Sequence, residues 1–359
     1  MTYASFGCSL DVMDAPEKLA MKLAYLNALR EGVIQAPLAR DPYDLLMNEL
    51  GETTGIVTVG RLELEPWMTP RPGLDAIGNV DVALAREFLD TGGCNVVASR
   101  LREFVRDRVM PLSPFLVGVD HSLTGGVLQA LAADGAGSLS LVVLDSHLDA
   151  IPASVRRAAA LALSETETVA GEGEPEPEPP DSLTCGSWLA SVMDSGLVAP
   201  EKIAVIGPSD YPGTQAGDEP DAVRNFRDAY AAIEERGVTV IPKRRVREIG
   251  AEAAAREAVQ AIGAGRVYVS IDADVGAGEA VKAVRFLDTI GLDPDEVPRL
   301  CGALARELAP AGAELCGFDV MEIDTHLADI PGSGDRTLEM CARAVRALLR
   351  LVGENGDRR

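Results

Sequence analysis

The feature that most restricts the fold of this chain is an alternation of short apolar runs with amphipathic stretches. The runs fall at 55–58, 114–119, 139–144, 203–207, 238–241, 266–271 and 315–320, and segments of helical periodicity at 16–30, 82–89, 123–132, 253–262, 297–308 and 337–351. A run without alternation is a strand buried on both faces, and the stretches between are the helical crossovers that parallel strands require. The pattern predicts an α/β fold, a three-layer α/β/α arrangement around a mostly parallel sheet. In such a sheet ligands gather beyond the carboxyl ends of the strands, so the residues just after each run are the first place to look for chemistry.

One stretch breaks the alternation. Residues 165–181 hold seven acids and no base, with interspersed Pro and Gly. Such a composition cannot bury enough surface to offset the entropy of ordering, and it predicts a disordered acidic insertion loop within a single domain spanning 1–359. No apolar run reaches membrane-spanning length and the first residues lack a basic-then-apolar leader, which predicts a cytoplasmic protein. The formal charge of −23 argues against nucleic acid or an anionic membrane as partner. Six cysteines without CxxC spacing read as buried free thiols.

Three acidic motifs follow three of the runs. Asp145-Ser146-His147-Leu148-Asp149 follows 139–144, and in extended chain Asp145, His147 and Asp149 project to one side. Ser270-Ile271-Asp272-Ala273-Asp274 ends the run at 266–271, placing two more acids at i and i+2. Gly118-Val119-Asp120-His121-Ser122 sets His121 at a strand-to-helix turn. Burying carboxylates without a cation costs several kcal/mol each, on the order expected for any buried ion. Carboxylates with imidazoles suit Mn, Zn or a similar divalent ion. Taken singly each motif also reads as a solvated loop or a helix cap; two of the chain's three histidines falling in them favours ligands.

With these motifs in this order, the chain resembles the ureohydrolase family of arginases, agmatinases and formiminoglutamases, whose members carry GGDHS, DAHxD and SxDxD. The resemblance implies an arginase-like fold and two divalent metal ions, usually Mn(2+). It places His121, Asp145, Asp149 and Asp272 on one ion and Asp145, His147, Asp272 and Asp274 on the other, with Asp145 and Asp272 bridging. It implies hydrolysis of a linear guanidino or amidino C–N bond to urea and an amine, with Asp149 or Asp274 accepting a proton. Phe318-Asp319-Val320-Met321-Glu322 resembles the family's last strand motif, which makes Glu322 the partner of the substrate guanidinium. Agmatine is the expected substrate on family grounds, with arginine, guanidinobutyrate and formiminoglutamate as alternatives. A homo-oligomer, trimer or hexamer, is likewise implied.

Three departures from the family pattern bear on the pocket wall. After Asp274 the chain lacks the family's D-P loop, and residues 275–286 read as a turn leading into a helix on which Arg285 or Lys282 either selects a substrate carboxylate or is solvated. Cys185 aligns with a family histidine and is either a packing residue or a thiol beside the metals and substrate; His326, the third histidine, is the other candidate to replace it, or lies at the surface. Val119 replaces the second glycine of GGDHS and is strained only if its φ is positive. These departures keep a catalytically idle metal-binding homologue open. A related deacetylase reading needs paired active-site histidines that a three-histidine chain can hardly provide.

Overall fold

The computed structural model describes the chain except for residues 1, 14–15, 35–40, 136, 164–182, 213–218, 277–279, 288–290, 331 and 357–359. The acidic insertion expected at 165–181 lies outside the described residues. Among those described, eight strands form one sheet: β1 (Tyr3–Cys8), β2 (Ile56–Arg61), β3 (Ser113–Gly118), β4 (Leu139–Leu144), β5 (Ile203–Ile206), β6 (Thr239–Ile241), β7 (Gly265–Asp272) and β8 (Ala313–Met321). Their order is β2-β1-β3-β8-β7-β4-β5-β6 and every ladder is parallel.

The inner strands are buried on both faces because their side chains feed two separate cores. On β4, Leu139, Leu141 and Val143 enter one core and Val142 and Leu144 the other; on β5, Ile203 and Val205 divide from Ala204 and Ile206 in the same way. The helices Gly93–Phe104, Leu123–Ala133 and Asp221–Glu235 cover the first face, and Pro42–Leu50, Ala251–Ile262, Glu296–Leu308 and Thr337–Gly356 the second. The three-layer α/β/α fold expected from the alternation is therefore the one observed.

The sequence runs predict seven of the eight strands and omit β1. Its residues, Tyr-Ala-Ser-Phe-Gly-Cys, are small or polar at every second position, so no aliphatic run marks it. The small residues have a packing reason: a Cβ on Gly7 would stand 2.9 Å from Tyr43 Cβ, and Ser5 Oγ lies 3.1 Å from the Tyr43 hydroxyl. The helix Asp221–Glu235 is equally quiet in sequence, burying only Phe226, Tyr230 and Ile233.

One expectation is overturned. Residues 275–286 do not lead into a helix: after the short 3-10 turn Ala273–Gly276 the described chain has no regular structure through Val281, Ala283 and Val284, all three buried and the two valines part of the second core. Val284 bridges Ile323 antiparallel, with Arg285 N donating to Glu322 O at 2.9 Å and Asp324 N to Ala283 O at 2.9 Å. Burial of Val281, Ala283, Val284 and Arg285 together with backbone pairing outcompetes the local helical pattern.

Candidate metal centre

The three acidic motifs and the Glu322 motif lie far apart in sequence, yet they follow β3, β4, β7 and β8, and in the sheet those strands are consecutive neighbours in the order β3-β8-β7-β4. Register completes the convergence: Leu144 pairs Ile271, Asp272 pairs Met321, and Val117 pairs Val320, so the four strand ends stop at one level. There His121, Asp145, Asp149, Asp272, Asp274 and Glu322 are all at most 6% exposed, and His147 is the one more open member, its side chain 20% exposed.

His121 Nδ1 stands 2.9 Å from Asp272 Oδ2, 3.3 Å from Asp149 Oδ2 and 3.5 Å from Asp145 Oδ2. Its other ring nitrogen, Nε2, lies 2.8 Å from Ser270 Oγ, and Ser270 in turn donates to Asp319 Oδ1 at 2.6 Å. Asp319 Oδ2 accepts from Thr124 Oγ1 at 2.7 Å and from the Tyr268 hydroxyl at 2.9 Å. Because Ser270 spends its hydrogen on Asp319, its oxygen takes the Nε2 proton and leaves the Nδ1 lone pair turned into the cluster. Ser270 and Asp319 stood inside recognised motifs, but this bracing role is visible only in the folded chain.

On the far side His147 Nδ1 is 2.9 Å from Asp274 Oδ2, while Asp274 Oδ1 accepts from Ser146 N at 3.2 Å and Ser146 Oγ at 3.1 Å. The backbone amides of His147 and Asp274 donate to Asp145 Oδ1 (2.6 Å) and Asp272 Oδ1 (2.8 Å). Asp149 is clamped from outside: Trp188 Nε1 donates to its Oδ2 at 3.0 Å and Leu189 N to its carbonyl at 3.1 Å. Two described non-glycine residues have left-handed backbone, Asp149 at φ 51° and Glu322 at φ 61°. That conformation costs on the order of 1–3 kcal/mol and persists where surroundings overdetermine it. Glu322 is held by its amide on Val119 O at 3.1 Å and by its carbonyl under Arg285 N. Val119 itself keeps a negative φ, so its replacement of glycine is unstrained.

The electrostatics of the cluster call for positive charge. Burial raises the Asp145 and Asp272 carboxyls well above the usual range, and the neighbouring carboxylates raise them further. Burial alone would discharge the histidines, but the surrounding aspartates push His121 and His147 up to about 9. Burial also lifts Glu322 to about 8 against the pull of Arg285. Burial works to raise Asp274 as well, yet His147 and the Ser146 amide hold it below its ordinary value.

The donors fit divalent cations. His121, Asp145, Asp149 and Asp272 each offer a ligand atom within 4.8 Å of the others, as do Asp145, His147 and Asp274, and again Asp272, Asp274 and Glu322. Three of the atoms that would point at an ion, His121 Nδ1, Asp145 Oδ2 and Asp274 Oδ2, are buried without a hydrogen-bond partner. An all-oxygen-and-imidazole set with shared carboxylates suits Mn or Zn. All six residues expected as ligands are thus brought together.

The wall residues divide differently. Arg285 is neither solvated nor helical: it is 4% exposed, its Nη1 lies 2.6 Å from Asp120 Oδ2, and its Nη2 donates to Val12 O at 3.0 Å. Lys282 is exposed and bonds Asp335 and Ser333 away from the cluster. His326 is half-buried with Nε2 2.8 Å from Pro70 O, so it does not stand in for the family histidine. Cys185 is half-buried, belongs to none of the three donor groups, and has its thiol pKa pushed up by burial and then by Asp120.

A parallel sheet ending in a buried cradle of two histidines and shared aspartates defines the class: an α/β protein built around a metal centre. The family can be stated as well, for the arginase-family model matches residues 57–350, and the chain belongs to the arginase family. Among solved structures, the arginase of Bacillus subtilis matches with a TM-score of 0.58 at 15% identity, over 97% of this chain and 98% of that one. Proclavaminate amidino hydrolase from Streptomyces clavuligerus gives 0.56 at 19% identity over 98% and 92%. The formimidoylglutamase of Bacillus subtilis gives 0.59 at 14% identity over 98% and 87%. No curated protein sequence matches the chain. Among the described residues no helix is long and apolar enough to cross a membrane.

Proposed function

We propose that this protein is a metal-dependent hydrolase of a linear guanidino or amidino C–N bond, releasing urea and an amine from a guanidino substrate. The observation that carries the reading is the meeting of a complete two-ion donor set with Glu322 at the ends of four adjacent strands. His121, Asp145, Asp149 and Asp272 would hold one ion and Asp145, His147, Asp272 and Asp274 the other, with manganese the expected metal. When bound, such ions supply Lewis acidity and lower the pKa of a water at the floor of the pocket.

The chain's own residues do the rest. An incoming guanidinium favours the ionised form that burial alone opposes in Glu322, which then meets it with parallel charge-assisted hydrogen bonds from the strained turn that holds it. Asp149, fixed by Trp188, and Asp274, paired with His147 at 2.9 Å, are the carboxylates that would accept the proton released as the new C–O bond forms. Burial of the cluster excludes competing solvent and strengthens each of these contacts. The family's trimeric or hexameric assembly is the expected oligomeric state, checked by light scattering.

The test is to load the chain with Mn(2+) and follow urea release from agmatine, arginine and 4-guanidinobutyrate, and formamide release from formiminoglutamate. Glu322→Gln, which keeps the six expected ligands, is expected to retain two ions per chain and lose kcat/KM by about a hundredfold or more, the worth of a charge-assisted pair. Two bound ions with no turnover on any of the four would overturn the hydrolase reading in favour of an idle metal-binding homologue.

A further inference from the structure

The loops after β4 and β5 meet beside the most open ligand. Ser209 N donates to Ser146 O at 2.9 Å, which ties the two loops together next to His147. Each loop contributes a charged residue there: Arg156, in the first turn of the helix Ala153–Leu163 with its amide on Pro152 O, and Asp210. Arg156 Nε lies 3.6 Å from Asp210 Oδ2, and its charge also acts on His147, Asp149 and Asp145.

The guanidinium is poorly satisfied. Arg156 Nε and Nη2 are both buried and neither has a hydrogen-bond partner. Asp210 Oδ2 is 3.6 Å from Nε, beyond hydrogen-bonding reach, and the other Asp210 oxygen is taken by the Tyr230 hydroxyl. Nε and Nη2 share one edge of the guanidinium, the edge that offers two parallel N–H donors to a planar carboxylate. Leaving two buried charged donors unpaired is costly, and that cost falls when a ligand anion completes them.

We infer that Arg156 is the specificity-determining residue for the tail of the substrate, and that the pocket takes amidino compounds whose far end is a carboxylate in preference to those ending in an amine. The inference rests on the hydrolase reading only for where the amidino head sits. It displaces agmatine, whose ammonium tail would meet a like charge at Arg156, from the favoured position that family grounds gave it. Asp210 Oδ2 faces Nε from 3.6 Å, holding the guanidinium by charge while leaving its Nε and Nη2 hydrogens unbonded.

Isothermal titration of the Mn(2+)-loaded full chain with three alkylguanidines tests this: 4-guanidinobutyrate, n-butylguanidine and agmatine share a head and differ in the charge of the tail. The expected order of affinity is carboxylate, neutral, ammonium, with the first at least about tenfold tighter than the second. Arg156→Gln is expected to weaken 4-guanidinobutyrate about 10- to 100-fold while moving n-butylguanidine less than about twofold, and Arg156→Lys to recover only part of the loss. The wild-type tail series stands even if a variant misfolds. Agmatine binding as tightly as 4-guanidinobutyrate, an equal loss for all three ligands in Arg156→Gln, or no binding by any of them would overturn the inference. Binding in the expected order without urea release keeps the tail site and sinks the hydrolase reading; agmatine hydrolysis unaffected by Arg156→Gln does the reverse.

Discussion

The floor and the rim of the pocket are built on different principles. The floor is made of strand ends: His121, Asp145, Asp272 and Asp274 sit within two or three residues of the last paired position of β3, β4 and β7, and strand register alone brings them together. The rim is made of loop pairs held by a few contacts each, Arg285 on Asp120 and Val12, Ser209 on Ser146, Trp188 and Leu189 on Asp149. A floor built this way tolerates wide sequence change, which accords with a shared fold at 14–19% identity. A rim built this way can be altered one contact at a time.

The sharpest way to break the comparison is at the shared carboxylates of the floor. Asp145→Asn replaces a group that belongs to two of the three donor sets, so it should cost metal at both positions and bring activity to background. Metal content by atomic emission beside urea release decides the matter. A variant that kept two ions and full turnover would remove Asp145 from the floor.

The next largest effect is expected at the rim. Arg285 joins the turn after β3, the segment after β1 and, through its amide, the Glu322 turn. Arg285→Met leaves Asp120 buried and uncompensated, for a loss of about 3–5 kcal/mol in denaturant unfolding. Adding Asp120→Asn should recover part of it, because the cost lies in the orphaned charge. Stability unchanged in the single variant would show that the ion pair braces nothing.

How much of this was legible in the sequence follows the same division. Strand-end chemistry travels with its strand, so Asp145-Ser146-His147-Leu148-Asp149 and Ser270-Ile271-Asp272-Ala273-Asp274 announce both their position and their partners. The α/β layering was legible for a like reason, except at β1, where Ser5 and Gly7 make room for Tyr43 and dilute the apolar signal. Rim contacts leave no local trace. Arg156 and Asp210 are ordinary loop residues until two loops are joined, and 275–286 carries a helical pattern that only pairing with Ile323 overrides. Arg285 was singled out as a residue facing substrate or solvent, and the structure gives it a third role as a buried brace.

A smaller effect sharpens the view of the floor. Ser270→Ala removes the acceptor of His121 Nε2 and the link to Asp319 while leaving every ligand in place. Loss of a hydrogen bond behind a ligating histidine typically lowers metal affinity about 10- to 100-fold. A competition titration against a chelator of known affinity measures it. An unchanged affinity would mean that packing against Trp188, 4.5 Å between ring centroids, is enough to orient the imidazole.

The smallest effect is expected at Cys185, where the family pattern leads one to expect a histidine. Burial raises its thiol pKa, Asp120 and Glu322 raise it further, and Arg285 only partly offsets them. Burial and the acids around it disfavour the thiolate of Cys185, which makes it a poor nucleophile and a poor proton acceptor. Alkylation by iodoacetamide should accordingly be slower than for a free cysteine between about pH 7 and 8.5, and should rise only in more alkaline solution. Cys185→Ser should change kcat/KM less than about threefold across that range, as expected for an uncharged wall residue. A large loss of kcat confined to the basic limb of the pH profile would instead make the thiolate part of the chemistry, and the rim would then carry reaction steps as well as selectivity.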